Sequence, residues 1–305
     1  MDLFTRRELR EIERANDSGA GVVVFVHGLW LLPSSWARWR DHFEGAGYVT
    51  LAPSWPDDPE TVEEARLHPE VFARKKVKQV CDHLAEVIRR LRALPALVGH
   101  SFGGLLVQRL AGLGLSAATV AIDPAPFRGV LPLPLSTLRA ALPVLGNPAN
   151  YPRAVALTFE QFRYAFANAT TEAEARHLYQ AFAVAAPAAP LFQAATANLN
   201  PWTEASVDAD NPDRGPLLIL SGEKDHTVPR AMAHAAYRRQ RRNPGVTAFH
   251  EMRGRGHSLT IDGGWQEVAE EALGFLRRHH PVPSSVEGWP DLAPSFGLPA
   301  SHHGA

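Results

Sequence analysis

The chain is short of cysteine, of net charge and of long apolar runs, and each shortage removes a class of protein. Cys81 is the only cysteine in 305 residues, so an internal disulfide framework is excluded. It falls in a helical pattern and reads as a small core residue rather than a reactive thiol. Lys and Arg number 31 against 32 Asp and Glu, a formal net charge of −1. That balance argues against nucleic acid or an anionic membrane as the main partner. No apolar stretch is long enough to span a bilayer, so stable membrane insertion is not expected. The opening residues Met1-Asp2-Leu3-Phe4-Thr5-Arg6-Arg7-Glu8 mix charges and contain no apolar segment. No secretory signal is visible there, and a cytoplasmic location is expected.

What is present is enough apolar material for a large core. At 45% apolar and 21% charged residues, the chain reads as one globular domain, or one domain carrying an insertion. Thr5 and Glu8 form a capping-box pattern ahead of a short helix. Val22-Val23-Val24-Phe25-Val26 is a continuous apolar run, the mark of a strand buried on both faces. Further strands are predicted at Tyr48–Ala52, Pro95–Val98, Thr119–Ile122, Leu217–Leu220 and Val246–Phe249. Helices are predicted at Ser35–Ala46, Val71–Leu94, Arg230–Arg241 and Trp265–His279. Strands alternating with helices imply parallel pairing in an open, doubly wound α/β sheet. The stretch 124–212 shows no strand-like run and several helical ones, among them Phe159–Asn168 and Glu172–Ala183. It is expected to be a helical cap inserted into a core of residues 1–123 and 213–280. Residues 281–305, rich in Pro, Ser and Gly, are expected to form a tail.

The most informative residues are Gly99-His100-Ser101-Phe102-Gly103. Arising alone, G-x-S-x-G has a chance frequency of about one in ten in a chain this long. Here it sits between a predicted strand and a predicted helix, which is the nucleophile elbow. A turn this sharp puts the serine in a strained conformation, and the chain can cross itself only where Gly99 and Gly103 lack side chains. The helix that follows aims its positive end at any negative charge developing beside it.

A serine hydroxyl needs a histidine to accept its proton and a carboxylate to orient that histidine. With this elbow the chain order is Ser, acid, His. Asp225 follows the strand at Leu217–Leu220, and His257 follows the last strand. Asp123, directly after Thr119–Ile122, is a rival acid, and Glu223 is a near but less well placed neighbour. An oxyanion hole needs two N–H donors. Phe102 supplies one; the loop His27-Gly28-Leu29-Trp30 supplies the other, from Leu29 or alternatively Trp30. His27 reads as support for that loop. Trp30 and His100 flank the donors and are the candidate substrate-binding residues. The pairs His279-His280 and His302-His303 lack further ligands at metal-site spacing, so no metal is expected, nor any cofactor.

These motifs resemble the α/β-hydrolase superfamily, in its branch of bacterial serine esterases and lysophospholipase-like enzymes. The resemblance spans roughly residues 22–280. It implies Ser101 as nucleophile, His257 as base, Asp225 as acid and a hole from Leu29 and Phe102. It further implies hydrolysis of a small-molecule carboxylic ester, and the aromatic residues of the expected cap (Phe159, Phe162, Tyr164, Phe166, Tyr179, Phe182, Phe192, Trp202) suggest an apolar acyl or alcohol group. Lactone hydrolysis, cofactor-free perhydrolysis and carbon–carbon hydrolysis share that site, and a non-catalytic ligand receptor shares the fold. Two features depart from the family pattern: the leading antiparallel strands are missing, and Trp30 stands where relatives have proline.

Overall fold

The computed structural model describes residues 4–282, so the expected tail lies outside the described residues beyond Val282. Six strands form one sheet in the order β2 (Val49–Leu51), β1 (Val22–Val26), β3 (Ala96–His100), β4 (Ala118–Ile122), β7 (Leu217–Gly222), β8 (Thr247–Met252). Every pairing is parallel, for instance Val24 opposite Leu97 and Val98 opposite Val120. The strand side chains alternate between two apolar layers. Val24, Val26, Leu97 and Ile219 face one layer; Val23, Phe25, Val98 and Leu220 face the other. Because both faces are covered, β1, β3 and β4 read as unbroken apolar runs.

The first layer packs α1 (Arg6–Ser18), α4 (Val77–Arg89), α5 (Phe102–Gly112) and α10 (Arg230–Gln240) on the sheet. The second packs α2 (Ala37–Gly45) and α11 (Trp265–His279), with Phe25, Trp36, Trp39 and Phe43 meeting ring to ring. Thr5 and Glu8 do close a capping box at the start of α1. A short helix α3 spans Val62–Leu67. The long helix expected over 71–94 is broken at its start. A 3₁₀ turn covers Pro69–Phe72, Arg74 turns left-handed at φ 65°, and α4 begins only at Val77. A left-handed residue cannot continue a right-handed helix.

Between β4 and β7 the chain leaves the sheet. That excursion contains α6 (Leu135–Leu145), α7 (Phe159–Ala165), α8 (Glu172–Phe182) and α9 (Ala189–Ala195). It also holds one feature absent from the sequence reading, a two-residue antiparallel pairing of β5 (Ala154–Val155) with β6 (Ala186–Pro187). Strands of two residues have no period to detect.

The crossing at the elbow is as tight as its glycines imply. A Cβ on Gly103 would lie 2.0 Å from the Val26 carbonyl oxygen, and one on Gly99 2.3 Å from the Gly103 carbonyl oxygen. Both obstacles are backbone and cannot swing aside. Gly103→Ala is therefore expected to destabilise by more than about 3 kcal/mol or to prevent folding. Gly45→Ala, where a Cβ meets nothing within 4 Å at the end of α2, should be neutral or stabilise by up to about 1 kcal/mol. Urea unfolding midpoints of the two variants check both expectations.

Candidate active site

Three non-glycine residues with positive φ stand at the C-terminal ends of adjacent strands: Trp30 at 63° after β1, Ser101 at 56° after β3 and Asp123 at 40° after β4. Each costs of order 1–3 kcal/mol and persists only where surrounding contacts enforce it. Ser101 is locked on both sides of its peptide. Its N–H donates to the Ile122 carbonyl at 2.9 Å, and its carbonyl accepts the Ala125 and Leu105 N–H groups. Ser101 occupies the N-cap position of α5 with its side chain making no capping hydrogen bond, and it is 5% exposed. It opens on a cavity of about 100 Å³, walled chiefly by apolar groups including Trp30, Phe102, Leu138, Val228 and Met232.

The loop after β1 comes up against the elbow. A Cβ on Gly28 would sit 2.9 Å from the Ser101 Cβ and 3.3 Å from the Phe102 nitrogen. Only glycine permits that approach. The Leu29 and Phe102 N–H groups find no acceptor among the described residues. Beneath the loop lies a buried polar network. His27 Nδ1 donates to the Gly28 carbonyl at 2.9 Å, its Nε2 stands 3.7 Å from Asp58, and Asp58 pairs with the buried Lys75 ammonium. Burial holds the His27 imidazole down to about 4 and pushes the Asp58 carboxyl up to about 6. His27 thus supports the loop, while Asp58 and Lys75 carried no recognisable motif.

Asp225 and His257 meet directly. The register that sets Gly222 opposite Met252 brings the loops after β7 and β8 side by side. Asp225 Oδ1 accepts the Thr227 and Val228 N–H groups at 2.6 and 2.9 Å, and Oδ2 accepts His257 Nδ1 at 2.6 Å. Burial works to raise the Asp225 carboxyl, but the facing His257 and these donors outweigh it and leave the carboxyl below its usual range. With its Nδ1 proton committed to the carboxylate, His257 presents a lone pair at Nε2. That nitrogen is buried without a partner, and Ser101 Oγ is not hydrogen-bonded to it. Such contacts are commonly loose before substrate arrives.

The rival acid turns out to be a neighbour of the first. Asp123 is fully buried, with Oδ1 accepting the Gly222 N–H at 2.7 Å. Burial, then the Asp225 charge and a hydrogen bond to Asp225, hold its carboxyl far above the usual range. These effects favour the protonated form of Asp123 beside the Asp225 carboxylate, and Asp123 Oδ2 makes no other hydrogen bond among the described residues. Glu223, by contrast, lies at the surface and accepts the Gly254 N–H. His100 does not stand where a substrate-binding residue should. It is 1% exposed, lies outside the cavity wall and packs its ring 4.6 Å from that of His257. Burial and the adjacent His257 keep it neutral. Donor atoms of His100, Asp123 and His257 lie within 4.8 Å of one another.

The excursion between β4 and β7 anchors all of these loops. Trp30 Nε1 donates to the Val155 carbonyl at 3.0 Å, and the Val184 N–H donates to the Trp30 carbonyl at 3.1 Å. Thr227 Oγ1 donates to the Ala165 carbonyl, Asn168 Nδ2 to the Lys224 carbonyl, and the Ser258 N–H to the Phe166 carbonyl. The Phe166 ring stands edge-on to both His257 and Trp30. A larger recess of about 410 Å³ lies away from the elbow, against Phe4, Trp55 and His83. Ser54 and His83 both line it but have separate partners, Arg7 for the Ser54 hydroxyl and Glu8 for His83 Nε2.

Comparison with known proteins places the chain. It belongs to the alpha/beta hydrolase family, whose model matches residues 23–271. A search of curated protein sequences finds no match. Among solved structures it is similar to a monoacylglycerol lipase from Paleococcus ferrophilus, at 20% identity and a TM-score of 0.59, over 85% of this chain and 95% of that one. It is similar to an extracellular alpha/beta-hydrolase from a Paenibacillus species, at 18% identity and a TM-score of 0.58, over 83% and 98%. A methylesterase from Arabidopsis matches at 14% identity and a TM-score of 0.58, over 85% and 99%. At these identities the likeness establishes the fold.

The two aspartates make opposite demands on their side chains. Asp225→Asn should cost about 10⁴ in kcat, because an amide no longer holds the imidazole in the needed tautomer. Asp123→Asn should cost less than about tenfold, since an amide still donates to Asp225 and still accepts the Gly222 N–H. Turnover of an activated ester by the two variants checks this, and the reverse order would make Asp123 the acid.

Proposed function

We propose that the protein is a serine hydrolase that cleaves carboxylic esters through an acyl-enzyme intermediate. The observation that carries this reading is the 2.6 Å contact of Asp225 with His257 Nδ1, set behind a strained Ser101 that opens on an apolar cavity. A rotation of the Ser101 side chain brings Oγ to the free Nε2 lone pair. Oγ then attacks the ester carbonyl carbon as its proton passes to Nε2. The imidazolium is stabilised by the Asp225 carboxylate, and the oxyanion by the Leu29 N–H of the loop after β1 and the Phe102 N–H at the start of α5. Collapse of the tetrahedral intermediate expels the alcohol, which takes the proton from Nε2. Water repeats the sequence on the acyl-enzyme and frees the acid. Every proton moves between Oγ, Nε2 and the leaving or entering oxygen, so the residues present suffice.

The cavity walls point to an apolar acyl or alcohol group, because little there would satisfy a charged one. The names of the neighbouring structures, a lipase and a methylesterase among them, run the same way. The excursion between β4 and β7 acts as a cap that shapes this cavity and keeps water from the oxyanion hole.

Ser101→Ala should lower kcat by about a million-fold and leave the fold intact, since alanine keeps the same Cβ. A fluorophosphonate should label the wild-type chain once, at Ser101, as read by mass spectrometry. Retention of a tenth of the activity by the variant, or labelling elsewhere, would overturn the assignment. Ala141→Phe, placed in the cavity wall, should reduce kcat/KM for a p-nitrophenyl octanoate by about tenfold or more while leaving the acetate nearly unchanged. Equal losses on both esters would remove the cavity as the acyl site.

A further inference from the structure

The cap carries a group of large apolar side chains in water. Leu135, Leu138 and Leu142 lie at spacings of three and four along α6 and so share one face, 83%, 42% and 62% exposed. Leu131 precedes them at 75%, and Leu199 and Trp202 are 86% and 88% exposed. These residues are neighbours in space. The Asn198 side chain donates to the Val130 carbonyl and accepts the Gly129 N–H, and Arg128 donates to the Pro201 carbonyl. The 198–202 loop is thereby pinned beside the segment that leads into α6. A contiguous apolar patch of this kind needs an explanation, whereas scattered exposed leucines do not.

Its position and charge say what kind. Leu133 and Leu138, within the patch, also line the cavity beside Ser101, so the patch is the rim of the cavity mouth. From residue 124 to 158 the sequence contains Arg128, Arg139 and Arg153 and neither Asp nor Glu, and the three arginines are exposed. Residues 183–203 carry no charge of either sign. The net charge of −1 for the whole chain therefore hides a face that is apolar and cationic. A two-fold dimer through this face would set arginines against arginines and close the mouth of the cavity. A lipid layer with anionic headgroups meets both features: leucines and an indole enter its boundary, and guanidinium groups meet its phosphates.

We propose that the rim formed by Leu131, Leu135, Leu142, Leu199 and Trp202, flanked by Arg128, Arg139 and Arg153, docks on an anionic lipid surface. The substrate then passes from that surface into the cavity without crossing water. The delivery step rests on the serine-hydrolase reading; the docking step stands without it.

The test is flotation with vesicles of phosphatidylcholine, with and without phosphatidylglycerol, using wild type, Ser101→Ala and the double variant Leu135→Glu/Trp202→Glu. The substituted side chains are exposed and lie outside the cavity wall, so the double variant should melt with wild type and hydrolyse p-nitrophenyl acetate at an unchanged rate. Wild type and Ser101→Ala should float with the phosphatidylglycerol vesicles. Binding should fall as salt rises and drop by about tenfold or more in the double variant. An inactive wild type that still floats would sink the ester reading and keep the docking. Absence of flotation, or equal flotation by the double variant, would overturn the docking. So would a dimer that the double variant disperses while no form of the protein binds vesicles, which would assign the face to a second copy.

Discussion

The contact between the Asp225 carboxylate and His257 Nδ1 is the constraint around which this end of the molecule is organised. Both side chains are buried, and an ionised carboxylate in such a place is costly unless its lone pairs are occupied. Here Oδ1 is held by two backbone N–H groups and Oδ2 by the imidazole, with the Asp123 carboxyl buried beside them and held far above its usual range. None of these groups is free to move independently. The N–H groups belong to the turn after β7, the imidazole to the turn after β8, and Asp123 to the end of β4. A one-residue slip in the pairing of β7 with β8 would turn the two loops to opposite faces. The parallel sheet thus serves as the ruler that makes a 2.6 Å contact between residues 32 apart in sequence.

Strain is the second half of the same design. Trp30, Ser101 and Asp123 together store about 3–9 kcal/mol at of order 1–3 kcal/mol each. That is comparable with the whole stability of an ordinary domain. It survives because β1, β3 and β4 are buried along their entire length on both faces. The strain also lies where it is useful. It turns Ser101 into the cavity, brings the Trp30 indole to the cap, and turns Asp123 toward Asp225.

The fold was legible in the sequence because its signals are local and repeated. Apolar strand runs need only both faces to be covered, and G-x-S-x-G records a backbone crossing that only glycine survives. The positions of Asp225 and His257 were legible because each follows a strand of its own. Three things were not. Asp123 and Asp225 stand as rival acids in the sequence, which gives no sign that the two carboxyls are buried beside one another. His100 sits beside Ser101 in sequence, but the strand alternation turns it away from the cavity and against His257. Asp58 and Lys75 are 17 residues apart on irregular chain, and the pairing of a lone Asp with a lone Lys leaves no pattern. The start of α4 was missed because Arg74 adopts a left-handed conformation that no composition rule assigns to arginine.

The cap's grip on the site has a consequence for how the two parts work together. Its carbonyls at Ala165 and Phe166 hold the acid loop and the histidine loop, and its Val155 and Val184 hold Trp30 beside the oxyanion loop. The Phe166 ring closes against His257 on a face that solvent would otherwise reach. A cap that lifted as one body would have to break these bonds and would loosen Asp225, His257 and Leu29 together. On the serine-hydrolase reading proposed above, entry of substrate by such a motion would dismantle the site that must then act on it. The region free to move without that cost is the outer rim, the segment around Leu131–Leu135 and the start of α6. It lines the cavity mouth but makes no hydrogen bond to the three loops. The geometry therefore divides the excursion between β4 and β7 into an inner part bonded to the three loops and an outer part that is not.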